Sequence, residues 1–186
     1  MNRNTWIAAL LGLVAAFGGV TARAQAPEDE LARYDQARQL YQSKRYGEAL
    51  QRFRALAEAG YPPAMMSLAY QLESGQGTRV DAPGARSWYR AAARRGMVPA
   101  FLRLAMMYQE GDTVPRNPVL AQALYLVAAK LNPNRVLVQL AKASAEELKD
   151  EEQTRQARQL AERIMAQPQN LDEIIRQARR LGQPVM

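Results

Sequence analysis

Shifted by 36 residues, the segment beginning at Ala64 falls on the segment beginning at Ala100 without a gap. Ala64 meets Ala100, Leu68 meets Leu104, and Gly75 meets Gly111. Ala85 falls on Ala121, Trp88 on Leu124, Tyr89 on Tyr125, and Ala92-Ala93 on Ala128-Ala129, while Gly96 falls on Asn132. The same shift backwards places Ala85 on Ala49, Tyr89 on Phe53, Ala93 on Ala57 and Gly96 on Gly60. A fixed period of this length limits the chain to architectures in which similar units stack and share one core.

Within a unit the spacing is helical. Ala64, Leu68 and Leu72 recur at i, i+4 and i+8, the face of a first helix that Gly75 and Gly77 end. A loop rich in Gly, Thr, Asp and Pro follows. Ala85, Trp88, Tyr89, Ala92 and Ala93 then form the apolar face of a second helix, which Gly96 terminates. Alanines at positions 69, 85 and 92 allow close backbone approach, and Trp88 and Tyr89 fill the remaining volume. Ahead of these units, Ala37, Leu40, Tyr41 and Tyr46 predict a first helix joined to the next by a short turn at Lys44-Arg45-Tyr46.

The pattern resembles the Sel1-like repeat, a subgroup of the tetratricopeptide-like helical repeats. The first full copy carries it at Ala64, Leu68, Gly75, Asp81, Ala85, Trp88, Tyr89, Ala92, Ala93 and Gly96. The second carries it at Ala100, Leu104, Tyr108, Gly111, Val114, Ala121, Tyr125, Ala128 and Ala129. Ala69 and Leu72 depart from it in the first copy, and Ala105, Asn117 and Leu124 in the second. The predicted fold is all-α, a short α-solenoid of helix-turn-helix repeats with C-terminal capping helices. Its parts are a hairpin at 31–60, repeats at 61–96 and 97–132, and caps at 133–186.

Residues 133–186 break the period. Pro133 opens a predicted short helix over 134–142. Ser144 to Glu147 reads as a capping box for a long polar helix reaching about Ala166. Gln167-Pro168-Gln169 stops that helix. Asn170 then caps a last one bearing Leu171, Ile174, Ile175, Ala178 and Leu181, ended by Gly182.

The first 24 residues read as a secretory signal peptide rather than as part of the fold. Arg3 supplies the positive start, Ile7 to Val20 the apolar run, and Ala22-Arg23-Ala24 a small-x-small cleavage site before Gln25. An uncleaved anchor is the competing reading, since positions 5–22 are uncharged. Cleavage would remove Arg3 and Arg23, lowering the net charge from +7 to +5. No second apolar run of that length follows, so the expected location is the bacterial periplasm, with secretion as the alternative.

The chain has no cysteine and no histidine. Disulfides, thiolate nucleophiles, Ser-His-Asp triads and Cys/His zinc sites are therefore excluded. Ser67, Ser74, Ser87 and Ser144 have no His to activate them. Gly75-Gln-Gly77 follows no strand and precedes no GK[ST], so it is not a phosphate cradle. Glu28 to Glu30 read as a charged leader, and Glu146, Glu147, Asp150, Glu151 and Glu152 as a solvated helix start. No catalytic residue, cofactor or metal ligand is predicted.

Two surfaces are predicted to bind. Arg86, Arg90 and Arg94 form a stripe at i, i+4 and i+8, flanked by Arg95, with Arg176, Arg179 and Arg180 as a smaller group. Such a stripe is either a solvated face or a dock for acidic protein, anionic polysaccharide or lipid. Acidic residues are interspersed and aromatic interleaving is absent, which argues against nucleic acid. On the first helices, Met65, Met66, Tyr70 and Glu73 have counterparts in Phe101, Arg103, Met106, Met107 and Gln109. Tyr70, Arg103 and Met106 are expected to face a bound peptide, with Met65 and Phe101 beside them. The resemblance implies a protein-binding scaffold in envelope assembly, secretion or signalling, without a catalytic step. A secreted effector and a polyanion binder are the alternatives.

Overall fold

The structure is a computed structural model that describes residues 27–179. The signal segment, Arg180, Leu181 and Gly182 lie outside the described residues. Those described form nine α-helices, one short 3-10 turn and no strand. The first six helices are three hairpins: α1 (Pro27–Gln42) with α2 (Tyr46–Glu58), α3 (Pro62–Ser74) with α4 (Ala82–Arg94), and α5 (Val98–Glu110) with α6 (Pro118–Leu131). Each helix packs on the one before and the one after, and one core runs through all three hairpins.

The 36-residue register reappears as repeated local chemistry. Each of α3, α4, α5 and α6 has Pro in its first turn, where the missing N–H costs nothing. Gly75 and Gly111 cap α3 and α5 in the left-handed conformation, at φ 71° and 82°. The side chains of Asp81 and Asn117 accept from the Gly84 and Leu120 amides and cap α4 and α6. The alanines at 64, 69, 85, 92, 100, 105, 121 and 128 are wholly buried, as close helix packing requires.

The turn after α3 also meets the previous hairpin. A Cβ on Gly77 would stand 2.5 Å from the Tyr46 carbonyl carbon, so only glycine fits against the start of α2. Gln71, wholly buried, donates from Nε2 to the Tyr46 and Gln76 carbonyls and holds the loop there.

Several helix ends differ from expectation. The acidic run Glu28–Glu30 is not a leader but the first turn of α1, where negative charge meets the positive helix end. Helix α7 (Arg135–Ala145) begins at the Asn134 cap but runs beyond Lys142, taking Ser144 into its last turn, buried. The cap of α8 (Glu151–Ala166) is therefore Asp150. Its carboxylate accepts from the Gln153 amide, and the Gln153 side chain accepts from the Lys149 amide. Glu147, expected to close a capping box, instead accepts from Gln109 and Arg116 of the preceding hairpin. Asn170 makes no cap bond to α9 (Leu171–Ala178). Residues 168–170 form a 3-10 turn, and the Asn170 side-chain amide donates to Gln167.

The C-terminal helices do more than cap the end. Helix α7 continues the array by packing on α6, but α8 passes α7 and lies along α6. The chain then returns to α4 through the 3-10 turn and α9. Ala157, Leu160, Ala161 and Ile164 of α8, and Leu171, Ile174, Ile175 and Ala178 of α9, are buried by this return. Helix α6 is consequently covered by α5, α7 and α8, which suits a helix apolar on nearly every side.

Candidate functional site

Between α1 and α3 lies a groove of about 450 Å³. Its walls are Tyr34, Arg38, Tyr41 and Gln42 of α1 and Met66, Ser67 and Tyr70 of α3, and Phe53 of α2 reaches it from beneath. Tyr34, Arg38 and Tyr41 recur at i, i+4 and i+7, so one face of α1 lines the groove. Ser67 and Tyr70 answer from α3 at a spacing of three. The Tyr34 hydroxyl and Ser67 Oγ share a hydrogen bond of 3.0 Å, and the Tyr41 hydroxyl donates to Gln76 Oε1 at 2.6 Å. The Tyr34 ring lies 5.6 Å from Phe53 and edge-on to Tyr61 at 5.4 Å, which fixes its position. Burial, then the neighbouring Tyr70 and Tyr46 phenols, push the Tyr41 hydroxyl up from its ordinary pKa. Tyr70 is 46% exposed, while Phe53 is buried. The groove thus combines an apolar floor, a rim of phenols and one cation, Arg38, whose partner Asp35 is a turn away on the same helix. Lining of this kind takes apolar side chains and orients a backbone; it has no nucleophile–base pair.

Beyond the groove the first helices carry a polar ladder rather than open surface. The Tyr89 hydroxyl donates to Glu73 Oε2 at 2.8 Å, and Arg103 donates to Glu73 Oε1 at 2.5 Å. One repeat later the Tyr125 hydroxyl donates to Gln109 Oε1 at 2.7 Å, and Gln109 donates to Glu147. Each tyrosine ties a second helix to its own first helix, and the next bond ties that unit to the one following. Burial, then the Glu73 hydrogen bond, holds the Tyr89 phenol well above its usual range. Burial, then the Glu110 and Glu147 carboxylates, also raises the Tyr125 phenol from its ordinary pKa.

The expected binding residues separate into groups. Tyr70 faces the groove. Met106 is exposed, with Arg103 Nη1 4.0 Å from its sulfur, but Arg103 is held by Glu73. Met65 and Phe101, one register apart, are 5% and 2% exposed and belong to the core, as does Met107. Their helices are covered by neighbours on both sides, so the buried arc is wider than a single stripe. The basic stripe is not a free surface either. Arg90 Nε lies 2.7 Å from Asp172, Arg94 pairs with the same carboxylate, and Arg86 donates to the Thr113 carbonyl at 3.2 Å. Arg176 pairs with its neighbour Glu173. Among the described residues, no group of three acidic side chains could hold a metal ion.

The Sel1 repeat family model matches residues 62–97 and 100–133. This chain carries two Sel1 repeats. They coincide with the α3–α4 and α5–α6 hairpins, so Tyr89 and Tyr125 hold corresponding Sel1 positions. No curated protein matches the sequence. Among solved structures, the chain is similar to c5321, a protective antigen present in uropathogenic Escherichia coli strains displaying an SLR fold. The TM-score is 0.69 at 23% identity, over 85% of this chain and 34% of that one, so this chain spans about a third of that protein's length. A Sel1 repeat protein from Oxalobacter formigenes matches with a TM-score of 0.55 and 28% identity, over 62% of this chain and 89% of that one. Both neighbours are helical-repeat proteins of bacteria, and Sel1-repeat proteins typically mediate protein–protein interaction.

The groove lies at the edge of the first Sel1 repeat, and Tyr34, Arg38, Tyr41, Gln42 and Phe53, five of its eight lining residues, come from outside the matched units. Sequence reasoning uses Tyr41 to predict the first helix and does not single out Tyr34, Arg38 or Gln42. The signal is present in the i, i+4, i+7 spacing of Tyr34, Arg38 and Tyr41. What it lacks is the gap between α1 and α3, which depends on how far α2 holds them apart.

Proposed function

We propose that this protein is a non-catalytic binding module of the bacterial periplasm that seats an extended segment of a partner protein in the α1–α3 groove. The observation that carries this reading is the groove itself, with Phe53 beneath, Met66 in its wall and Tyr34, Tyr41 and Tyr70 around the rim. Its volume suits one or two apolar side chains of a peptide, whose backbone the phenol hydroxyls and Gln42 can meet. Phenols offer large contact area at low entropic cost, which favours recognition by few residues. The periplasmic assignment rests on the signal-like segment ending at Ala24. An anionic polysaccharide on the arginine stripe is disfavoured, because Asp172 pairs with both Arg90 and Arg94 and offsets half of their charge.

Photo-crosslinking in the native host tests the reading. A crosslinking side chain at Tyr70 should give a discrete adduct, and Arg38→Ala with Met66→Ala should abolish it while the circular dichroism spectrum is kept. The same side chain at Val80, exposed on the α3–α4 loop, should give none. Equal adducts from both positions would remove the groove from consideration. A mature N-terminus at Gln25 in the osmotic-shock fraction tests the compartment.

A further inference from the structure

Helix α7 keeps a trace of the repeat register, in Leu140 and Ala141, although the full period breaks at Pro133, and it packs on α6 without a second helix of its own. The 36-residue shift places Val136 on Ala100, Leu137 on Phe101, Leu140 on Leu104, Ala141 on Ala105, Ala143 on Met107 and Ser144 on Tyr108. Leu137, Ala141 and Ser144 are buried, as are their α5 counterparts. They form the side that α7 turns to α6, its one substantial neighbour. The other side differs. Ala100 and Leu104 are wholly buried in α5, yet Val136 and Leu140 are 67% and 40% exposed in α7. Ala143 is exposed as well.

The cause is the path of α8. In α3 and α5 the corresponding face is part of a core shared with the following second helix, α4 or α6. In α7 the following helix leaves to pack on α6. The apolar stripe of α8, Ala157, Leu160, Ala161 and Ile164, is already buried there. Val136, Leu140 and Ala143 recur at i, i+4 and i+7, a helix-packing stripe in a repeat that lacks its second helix. Leu131, in the last turn of α6, is 46% exposed. Arg135 and Lys142 share the edge of α7 next to this stripe, and no ion pair among the described residues engages them.

We propose that this face of α7 docks an amphipathic helix of another protein, one with a small-residue apolar stripe and acidic flanks, in the place a second helix would hold. The apolar chemistry of the occupant is read from α4 and α6, which cover the corresponding faces within the chain through alanine, leucine and aromatic side chains. Its charge is read from Arg135 and Lys142. The surface shares no residue with the α1–α3 groove and stands or falls independently of it.

The probe is a labelled peptide copying residues 82–95 with Arg86, Arg90 and Arg94 each replaced by Glu, titrated with the whole protein by fluorescence anisotropy. It should bind saturably, and more tightly than the unaltered peptide by about fivefold or more at low salt. The double variant Val136→Asp, Leu140→Asp should weaken it by at least about tenfold. Val80→Asp, an equally exposed site elsewhere, should leave it unchanged. Absence of saturable binding, or binding that survives the double variant, overturns the proposal. So does concentration-dependent self-association that the double variant abolishes, since a second copy would then be the occupant.

Discussion

Asp81 and Asn117 stand at one register position and differ by a single proton-bearing group. Both side chains cap a second helix through one oxygen. Asp81 is exposed, whereas Asn117 is 4% exposed and its Nδ2 donates to the Ala178 carbonyl at 3.0 Å, securing the end of α9. An aspartate there would keep the cap but bury a charge facing a carbonyl oxygen. Asn117→Asp should cost about 2–4 kcal/mol in urea unfolding. The reverse exchange at the exposed position, Asp81→Asn, should stay within about 0.5 kcal/mol. Tyr89 makes a second prediction, one of pH. Its phenol pKa is raised in the folded state, so the unfolded chain releases that proton first. Its contribution to stability is constant below the ordinary phenol value near 10 and declines as pH rises above it. Tyr89→Phe should lose about 1 kcal/mol at pH 7, where the Glu73 bond disappears, and flatten the alkaline decline. Unfolding curves at neutral pH and above pH 10 separate the two effects.

Among elements, the helices of the repeats are legible in the sequence and the junctions less so. The spacing of Ala64, Leu68 and Leu72 and the glycines at 75 and 111 specify helix and stop by local chemistry alone. The expected Ser144 cap fails for a physical reason. Asp150, six residues on, has the same spacing to Gln153, and the choice falls to packing, which buries Ser144 and binds Glu147 to Gln109 and Arg116. The α3–α4 loop shows the same dependence. Gly77 is read from sequence as a helix terminator, yet it sits at φ 79° against the start of α2. Gly77→Ala should therefore destabilise by about 2–4 kcal/mol, combining backbone strain with a clash. Gly47, in the first turn of α2, has ordinary backbone angles, and a methyl group added there would meet nothing within 4 Å. Gly47→Ala should be neutral or stabilise by up to about 0.5 kcal/mol. Thermal melts of the pair test both.

At the scale of the whole molecule, the return of α8 and α9 across α6 and α4 ties the end of the chain back to the first Sel1 repeat. Leu124 stands where the other repeat has Trp88, and the exchange follows the packing. Trp88 is half-buried beside the core, whereas Leu124 is wholly buried in a helix that α8 also covers. A chain ending after Ala145 would uncover that side of α6 and release Arg90 and Arg94 from Asp172. It should bind a hydrophobic dye, unfold over a broad range and lose several kcal/mol, against a single sharp transition for the intact chain. By itself the sequence determined the repeat period, the helical hairpins, their glycine stops and the absence of His- or Cys-based chemistry. Those follow from local spacing and residue type, which act over one or two helical turns. Only the tertiary structure decided that Met65 and Phe101 are core, that Asp172 pairs with Arg90 and Arg94, and that a groove opens between α1 and α3. Each depends on which helix comes to lie beside another, and residues as far apart as Arg94 and Asp172 meet through packing that no local pattern encodes.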